Sequence, residues 1–224
     1  MGRVSRNNAG LSAERIITEA LHIIDGRGLG GLTMRRLGDA LEVEAMAIYH
    51  HFPLGKEQLF DAIVEHITDV SPAGADGSAD ADDPEEEPDP DAQPPADERP
   101  WDERLRAWAH DYRAGLLRHS GALSLIIHRR PDTTAALRSL ELHYAAFTEA
   151  GLSGADVVRA AATLDSYVTG AVIHQVRAEG IGSHDPAAVD GRHPTVAALR
   201  GTALDHDARF ADGLEAVLAG LRPA

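Results

Sequence analysis

The residues with the most obvious chemical potential are histidines, and two of them are adjacent, His50 and His51, in the stretch AIYHHF at 47–52. Neutral imidazoles bind metal ions and transfer protons near neutral pH. If this stretch is helical, neighbouring side chains point about 100° apart, so the pair cannot easily share one ion. The two histidines are therefore better interpreted as outward-facing helix residues beside Tyr49 than as metal ligands.

The rest of the chain offers little for catalysis. His128, His143 and His174 are expected to be core or pocket-lining groups, and the absence of cysteine excludes disulfides and thiolate metal sites. There is no nucleophile motif, no glycine-rich phosphate loop and no H-E-x-x-H pair. We therefore expect no metal and no cofactor, and the protein is predicted not to be an enzyme. The alternative is a metal- or histidine-dependent enzyme on a helical scaffold.

Helical periodicity runs through most of the chain and predicts an all-α fold. Ser12 and Thr33 are predicted N-caps, a short helix is expected from about Glu44 to His51, and another is expected from Lys56. Further helices are predicted at roughly 101–119, 121–129, 132–150, 154–179 and 203–221. The stretch 180–201, with two prolines and two histidines, is expected to be a loop.

The charge distribution divides the chain into three parts. Residues 71–98 hold eleven acidic residues and no basic one, and they predict a disordered, proline-rich acidic linker. This linker separates an N-terminal domain at 1–70 from a C-terminal domain at 99–224. Residues 1–60 carry seven basic and seven acidic residues, so the net charge of −15 does not exclude a nucleic-acid partner for this part. No apolar run is long enough to cross a bilayer, which favours a cytoplasmic protein.

Two short helices joined by a tight turn at 33–51 predict a helix-turn-helix, in which the second helix enters the DNA major groove. Val43, Ile48 and Phe52 would form its buried side. Its outward side is small or polar, as an approach to base edges requires. Glu44 has two alternative roles, because its carboxylate can accept a hydrogen bond from cytosine or cap the second helix.

The motifs TMRRLGDAL at 33–41 and VEAMAIYHHF at 43–52 resemble the DNA-binding segment of the TetR family of transcriptional repressors. WDERLR at 101–106, GLLRHSG at 115–121 and VTGAV at 168–172 resemble the ligand-binding domain of the tetracycline repressor subgroup. The resemblance implies a homodimer that represses transcription from a palindromic DNA operator and is released by a small-molecule inducer. Its turn usually holds glycine where this chain has Glu42, and a left-handed non-glycine residue costs about 1 kcal/mol.

The resemblance also implies which residues contact each partner. The DNA-binding set is Thr33, Arg35, Glu44, Ala45, Met46, Ala47, Tyr49, His50, His51 and Lys56. The ligand-binding set is Trp108, Tyr112, Ile126, Arg130, His143, Val158 and His174. Ile126 stands where the tetracycline repressor has a histidine that ligates the metal of its ligand. Because isoleucine cannot ligate a metal, we expect a neutral or anionic organic inducer other than tetracycline.

Overall fold

The computed structural model describes residues 10–70, 97–129, 133–180, 193–199, 202 and 204–222, and all secondary structure within them is helical. The prediction of an all-α fold is confirmed. The N-terminal part contains α1 (Ala13–Arg27), α2 (Met34–Leu41), α3 (Ala45–His51) and α4 (Lys56–Thr68). The C-terminal part contains α5 (Trp101–Arg118), α6 (Leu123–His128), α7 (Thr134–Glu149), α8 (Ala155–Gly180), α9 (Pro194–Leu199) and α10 (His206–Leu221).

The structure corrects the prediction in one stretch and leaves another outside its range. Residues 180–201 were expected to form a loop, but α9 occupies six of them. Its first residue is Pro194, and proline is well suited to the first position of a helix because the amide hydrogen it lacks has no intrahelical partner there. The predicted acidic linker lies outside the described residues except for Asp97 and Glu98.

The two predicted N-caps are present and fix where the first two helices start. The Ser12 hydroxyl accepts a hydrogen bond from the Arg15 amide at 3.1 Å, and Thr33 does the same for the Arg36 amide at 3.1 Å. Each cap satisfies one of the amides that have no partner within the helix. The helix-turn-helix therefore begins at a defined residue, which sets the register of everything that follows.

One apolar core extends through both parts of the chain. Ile16 and Ile24 of α1 and Ile63 of α4 are fully buried, and so are Leu116 of α5 and Phe147 of α7. These helices have apolar residues at three- and four-residue spacing, so each presents one stripe to its neighbours. The N-terminal helices are consequently held on the C-terminal bundle by shared side-chain packing.

The two parts also approach closely through backbone. A methyl group added at Gly121 would lie 2.8 Å from the Ile24 carbonyl oxygen, and one at Gly115 would lie 3.1 Å from the Ile67 carbonyl oxygen. An imidazole nitrogen of His119, Nδ1, lies 2.8 Å from Asp25 Oδ2 at the same junction. Side chains as small as alanine would push α5 and its following turn away from α1 and α4. None of the helices described here is both long and apolar enough to traverse a bilayer.

Candidate functional site

The turn between α2 and α3 depends on two unusual backbone positions. Glu42 ends α2 with φ 57° and ψ 35°, the left-handed conformation expected at this position, and no other described non-glycine residue has a positive φ. Gly38 allows the second helix to lie close, since a Cβ there would meet the Val43 carbonyl oxygen at 2.9 Å. The amide of Val43 donates to the Gly38 carbonyl at 2.9 Å. The angle between the two helices is therefore set by Gly38 and Glu42 together.

The third helix, α3, is anchored on one side and open on the other. Ile48 is fully buried and Phe52, just after the helix, is also buried. On the opposite side Met46 is 63% exposed and Tyr49 is 38% exposed, and His50 and His51 are exposed as well. Ala45 and Ala47 are half-buried. A thin helix held outward by two apolar anchors has the shape that fits a major groove.

A surface groove of about 510 Å³ lies beside the helix-turn-helix. It is lined by Arg35, Gly38, Asp39, Glu42, Val43, Glu44 and Ala45. Glu44 is the N-cap residue of α3, yet its side chain makes no capping hydrogen bond. The capping alternative for Glu44 is therefore not supported, and the carboxylate is exposed at the end of the helix that would approach base edges.

Residues from three elements converge at the start of α4. Gly55 precedes this helix with φ 74°, and a methyl group there would lie 3.3 Å from Cε1 of the Tyr49 ring. The Tyr49 ring thus lies against the loop that leads into α4. The Leu54 amide donates to Gln58 Oε1 at 3.0 Å. Lys56 is the first residue of α4, so its ammonium lies at the N-terminus of that helix. A helix N-terminus with a lysine and a nearby tyrosine hydroxyl is suited to binding a phosphate.

The sequence reasoning missed a cluster that ties this region to the C-terminal bundle. Arg129, just after α6, donates to Asp61 Oδ1 at 2.5 Å and to the carboxylate of Glu57, both on α4. Its guanidinium lies 5.1 Å from the centroid of the Phe60 ring, and the Lys56 ammonium lies 4.9 Å from the same centroid. No local pattern could have shown this cluster, because Arg129 lies 68 and 72 residues from its two acidic partners.

Three of the predicted ligand-binding residues meet between α5 and α7. The Trp108 and Tyr112 rings stack with centroids 4.9 Å apart and planes 16° apart. The His143 ring stands on edge to Trp108 at 4.1 Å. Burial lowers the pKa of His143 to about 4, and burial, with a smaller contribution from Asp165, raises the pKa of Tyr112 to about 12. Both rings are therefore uncharged at neutral pH.

Three of the other predicted ligand-binding residues lie on α6 and α8. Ile126 of α6 is half-buried against the apolar core. Val158 is 50% exposed and His174 is exposed, both on α8. Arg130 lies outside the described residues. Across the parts of the chain that the structure covers, no group of three or more His, Asp or Glu side chains is arranged to hold a metal ion.

The N-terminal and the C-terminal parts of the chain each match a known protein family. Residues 16–63 match the family described as bacterial regulatory proteins, tetR family, and residues 93–224 match the tetracyclin repressor-like C-terminal domain. The chain is 28% identical over 217 residues to the tetracycline repressor protein class D of Escherichia coli, covering 95% of this chain and 87% of that protein. It is 26% identical over 231 residues to the transcriptional repressor DrrR1 of Streptomyces coeruleorubidus, covering 94% of this chain and 77% of that protein.

A solved structure has the same fold. A possible TetR family transcriptional regulator from Streptomyces coelicolor A3(2) aligns over 94% of this chain and 98% of its own, with a TM-score of 0.71 and 28% identity. The second family match alone spans more than half of the chain. The protein with this exposed helix-turn-helix and helical C-terminal bundle therefore belongs to the tetR family of bacterial regulatory proteins.

Proposed function

We propose that the protein is a ligand-responsive transcriptional repressor that acts in the cytoplasm and binds a palindromic operator as a homodimer. The observation that carries this proposal is the outward presentation of α3, with Ile48 and Phe52 buried and Met46 and Tyr49 exposed. The matched family consists of regulators, and it gives no support to the alternative of a histidine-dependent enzyme. The relatives named above are repressors by name, which supports the same reading.

On the DNA side, each predicted contact has a chemical reason. Arg35 is exposed on α2, and a guanidinium can bind guanine with two hydrogen bonds. Met46 and the two alanines of α3 can touch thymine methyl groups. Tyr49 and the α4 N-terminus can hold phosphates on either side. The Thr33 hydroxyl oxygen accepts from the Arg36 amide as the α2 cap, which leaves its O–H available to donate to a phosphate.

On the ligand side, the buried rings of Trp108, Tyr112 and His143 form the proposed centre of the inducer site. Small-molecule sites in proteins are mostly apolar with a few fixed polar groups, and this cluster has that composition. The Arg129 contacts with Glu57 and Asp61 join α6 to the start of α4. A ligand that shifts α6 would therefore also shift the phosphate-binding end of α4.

The dimer is proposed on the exposed sides of α8 and α10. These two helices pack on each other, and their outer faces carry small residues. Exposed members are Ala162, Thr163 and Ser166 of α8 and Ala208, Ala216 and Ala219 of α10. Small residues let helices approach closely, so the four helices of two subunits can form a bundle.

The DNA side is tested by titrating fluorescent DNA from the region upstream of the protein's own coding sequence. We expect specific binding that weakens steeply with salt, because each phosphate contact contributes about −0.9 to the logarithmic slope. Arg35→Ala is expected to lose about 1–3 kcal/mol of discrimination against altered bases. Tyr49→Phe is expected to lose about 1 kcal/mol and to affect all sequences equally.

Arg118→Ala is the matched control, because Arg118 is an exposed arginine at the end of α5 and is not part of the helix-turn-helix. It should leave operator affinity unchanged. If Arg35→Ala and Tyr49→Phe bind as tightly as the unaltered protein, the assigned DNA surface is wrong. If no specific, salt-sensitive complex forms, the proposed function itself fails.

A further inference from the structure

The turn between α3 and α4 carries an exposed leucine that is not among the DNA-binding residues named above. The side chain of Leu54 is 80% exposed, more than any other large apolar side chain in the described residues. Turns are usually formed by glycine, proline, asparagine, aspartate or serine, each of which suits the backbone angles or the hydrogen bonds of a turn. A leucine at such a position has no role in forming the turn, and its apolar surface is free to contact a partner.

The backbone holds Leu54 in a defined position. The Gly55 amide donates to the Phe52 carbonyl oxygen at 2.8 Å, which closes a four-residue turn. Pro53 has a fixed φ and stands at the second position of this turn, where proline is favoured. The Leu54 amide donates to Gln58 Oε1 at 3.0 Å, and Phe52 is buried in the core. A partner that covers the Leu54 side chain therefore has little backbone freedom to remove.

Leu54 continues an exposed apolar strip that starts on α3. Met46 and Tyr49 are three residues apart on that helix, so their exposed side chains share one face. The Tyr49 ring lies against Gly55, the residue after Leu54, since a methyl group on Gly55 would be 3.3 Å from the ring carbon Cε1. The three apolar side chains therefore follow one another from α3 to the turn. Grouped apolar surface marks an interaction site more often than single exposed residues do.

The charges near this strip are balanced, which raises the importance of uncharged contacts. The surface groove beside the helix-turn-helix is lined by one basic residue, Arg35, and by three acidic ones, Asp39, Glu42 and Glu44. The first 60 residues carry equal numbers of basic and acidic residues. Attraction to phosphates usually supplies a large share of the affinity of a protein for DNA. In this chain, apolar contacts have a larger share to supply.

The neighbours of Leu54 indicate which part of DNA can cover it. Tyr49, on one side, and Lys56, on the other, are the residues proposed above to bind phosphates. Between two successive phosphates of one strand lies a deoxyribose, whose carbon atoms are the apolar surface of the backbone. Leucine cannot donate a hydrogen bond to a phosphate, but its methyl groups can pack on these carbon atoms.

We infer that Leu54 packs on a deoxyribose of the operator backbone and contributes affinity that depends on neither salt nor base sequence. This inference rests on the proposed function and adds one residue to its DNA surface. A deoxyribose is present at every nucleotide, so the contact strengthens binding to operator and to unrelated DNA equally. The contact involves no charge, so it releases no counterions and does not change the salt dependence.

The first test is Leu54→Ala, titrated with fluorescent operator DNA and with an unrelated duplex at several salt concentrations. We expect about five- to tenfold weaker binding to both duplexes at every salt concentration, with the same logarithmic salt slope as the unaltered protein. Stability in urea should not change, because the side chain is mostly exposed in the folded protein. The matched control is Leu137→Ala on α7, where the leucine is 59% exposed, and it should leave DNA binding unchanged.

A second variant, Leu54→Lys, tests where the side chain lies in the complex. An ammonium at this position would stand beside the phosphates on either side of the deoxyribose. The variant should therefore gain a phosphate contact, and its logarithmic salt slope should become steeper by about 0.9. It should also bind unrelated DNA more tightly than Leu54→Ala does at low salt. Leu137→Lys is the matched control, and its salt slope should equal that of the unaltered protein.

The inference is overturned if Leu54→Ala binds the operator as tightly as the unaltered protein, or if Leu54→Lys leaves the salt slope unchanged. It is also overturned if Leu54→Ala weakens binding to the operator alone, because that result would indicate a contact with a base. The unaltered protein separates these results from failure of the proposed function. If it binds its operator while the Leu54 variants behave like the Leu137 controls, only this inference fails. If it binds no operator specifically, the proposed function and this inference fail together.

Discussion

At the scale of single residues, His143 and Gly38 are the two positions where close packing has a direct consequence for function. His143 is enclosed by the Trp108 ring and the α5–α7 packing, so it is kept neutral. Gly38 is a buried residue of α2 against which the turn before α3 rests. One concerns the ligand side and the other concerns the angle at which the DNA-reading helix is held.

The pKa of His143 predicts how stability depends on pH. Its ordinary value of 6.5 falls to about 4 in the folded protein, so the unfolded chain takes up this proton first as pH falls. The neutral histidine therefore stabilises the fold above pH 6.5, and that contribution is lost progressively toward pH 4. Between pH 7 and pH 5 the loss is about 2 kcal/mol.

Urea unfolding at the two pH values measures this loss. His143→Phe should lose less stability over the same interval, by about 2 kcal/mol. His22→Phe provides the matched comparison, because it removes a histidine that is exposed. Parallel losses in the unaltered protein and in His143→Phe would show that His143 titrates normally in the fold.

Gly38→Ala should weaken operator binding because the added methyl would lie 2.9 Å from the Val43 carbonyl oxygen and 3.3 Å from the Ala45 amide nitrogen. Backbone must move to relieve this contact, so α3 would be displaced. We expect a destabilisation of about 1–3 kcal/mol, measured by urea unfolding, and at least tenfold weaker operator binding.

Gly26→Ala is the matched substitution, because Gly26 lies in α1 and a methyl there meets nothing within 4 Å. Alanine has the higher helix propensity, so this variant should be more stable by about 0.5–1 kcal/mol and should bind the operator normally. Similar behaviour of the two variants would mean that the approach of the turn to Gly38 is not constraining.

At the scale of helices, the guanidinium of Arg129 neutralises two carboxylates in the first turns of α4. Without the guanidinium, Glu57 and Asp61 would stand uncompensated in the helix that begins with Lys56. We expect Arg129→Gln to weaken operator binding about two- to fivefold, since partly exposed ion pairs contribute about 0.2–1 kcal/mol. The difference should be largest at low salt.

Asp61→Asn in the Arg129→Gln background should restore part of the affinity, because it removes one of the two exposed negative charges. Arg99→Gln is the matched control, since Arg99 pairs with Asp97, two residues away, and not with α4. A result in which Arg99→Gln and Arg129→Gln have equal effects would contradict a specific role for the α6–α4 contact.

Most helices could be predicted from the sequence because their signals are local. Ser12, Thr33 and the apolar spacing are read within a few residues. The charge of the first 60 residues, which is balanced, shows only that the net charge of −15 does not exclude a DNA partner. Helix α9 is not apparent from the sequence because proline marks loops as well as helix starts, and Pro194 stands at a helix start. The meeting of Trp108 with His143 was expected only through family resemblance, and the Arg129 contacts, which join distant segments, had no sequence signal.

At the scale of the whole molecule, dimerisation is the property that most needs testing. Ala216 is a small, exposed residue of α10 on the proposed subunit interface. Ala216→Arg should convert the dimer to a monomer in sedimentation velocity, because two copies of a long charged side chain would face the tightest part of the bundle. Operator binding should weaken strongly, since one half-site supplies only half of the contacts.

Ala145→Arg is the matched substitution on α7, where the alanine is also exposed but is not part of the proposed interface of α8 and α10. It should sediment like the unaltered protein. A monomeric Ala145→Arg together with a dimeric Ala216→Arg would move the interface to a different face.

The close backbone contacts of Gly115 and Gly121 with the carbonyls of Ile67 and Ile24 also bear on protein engineering. Because of these contacts, α1 to α4 cannot simply be transferred as a unit to another C-terminal domain. A chimera that joins them to another regulator's sensor would need glycine at both positions and a compatible partner for Asp25. A chimera whose boundary was chosen only from the acidic stretch would lose this interface. Its two domains would then unfold in two separate thermal transitions.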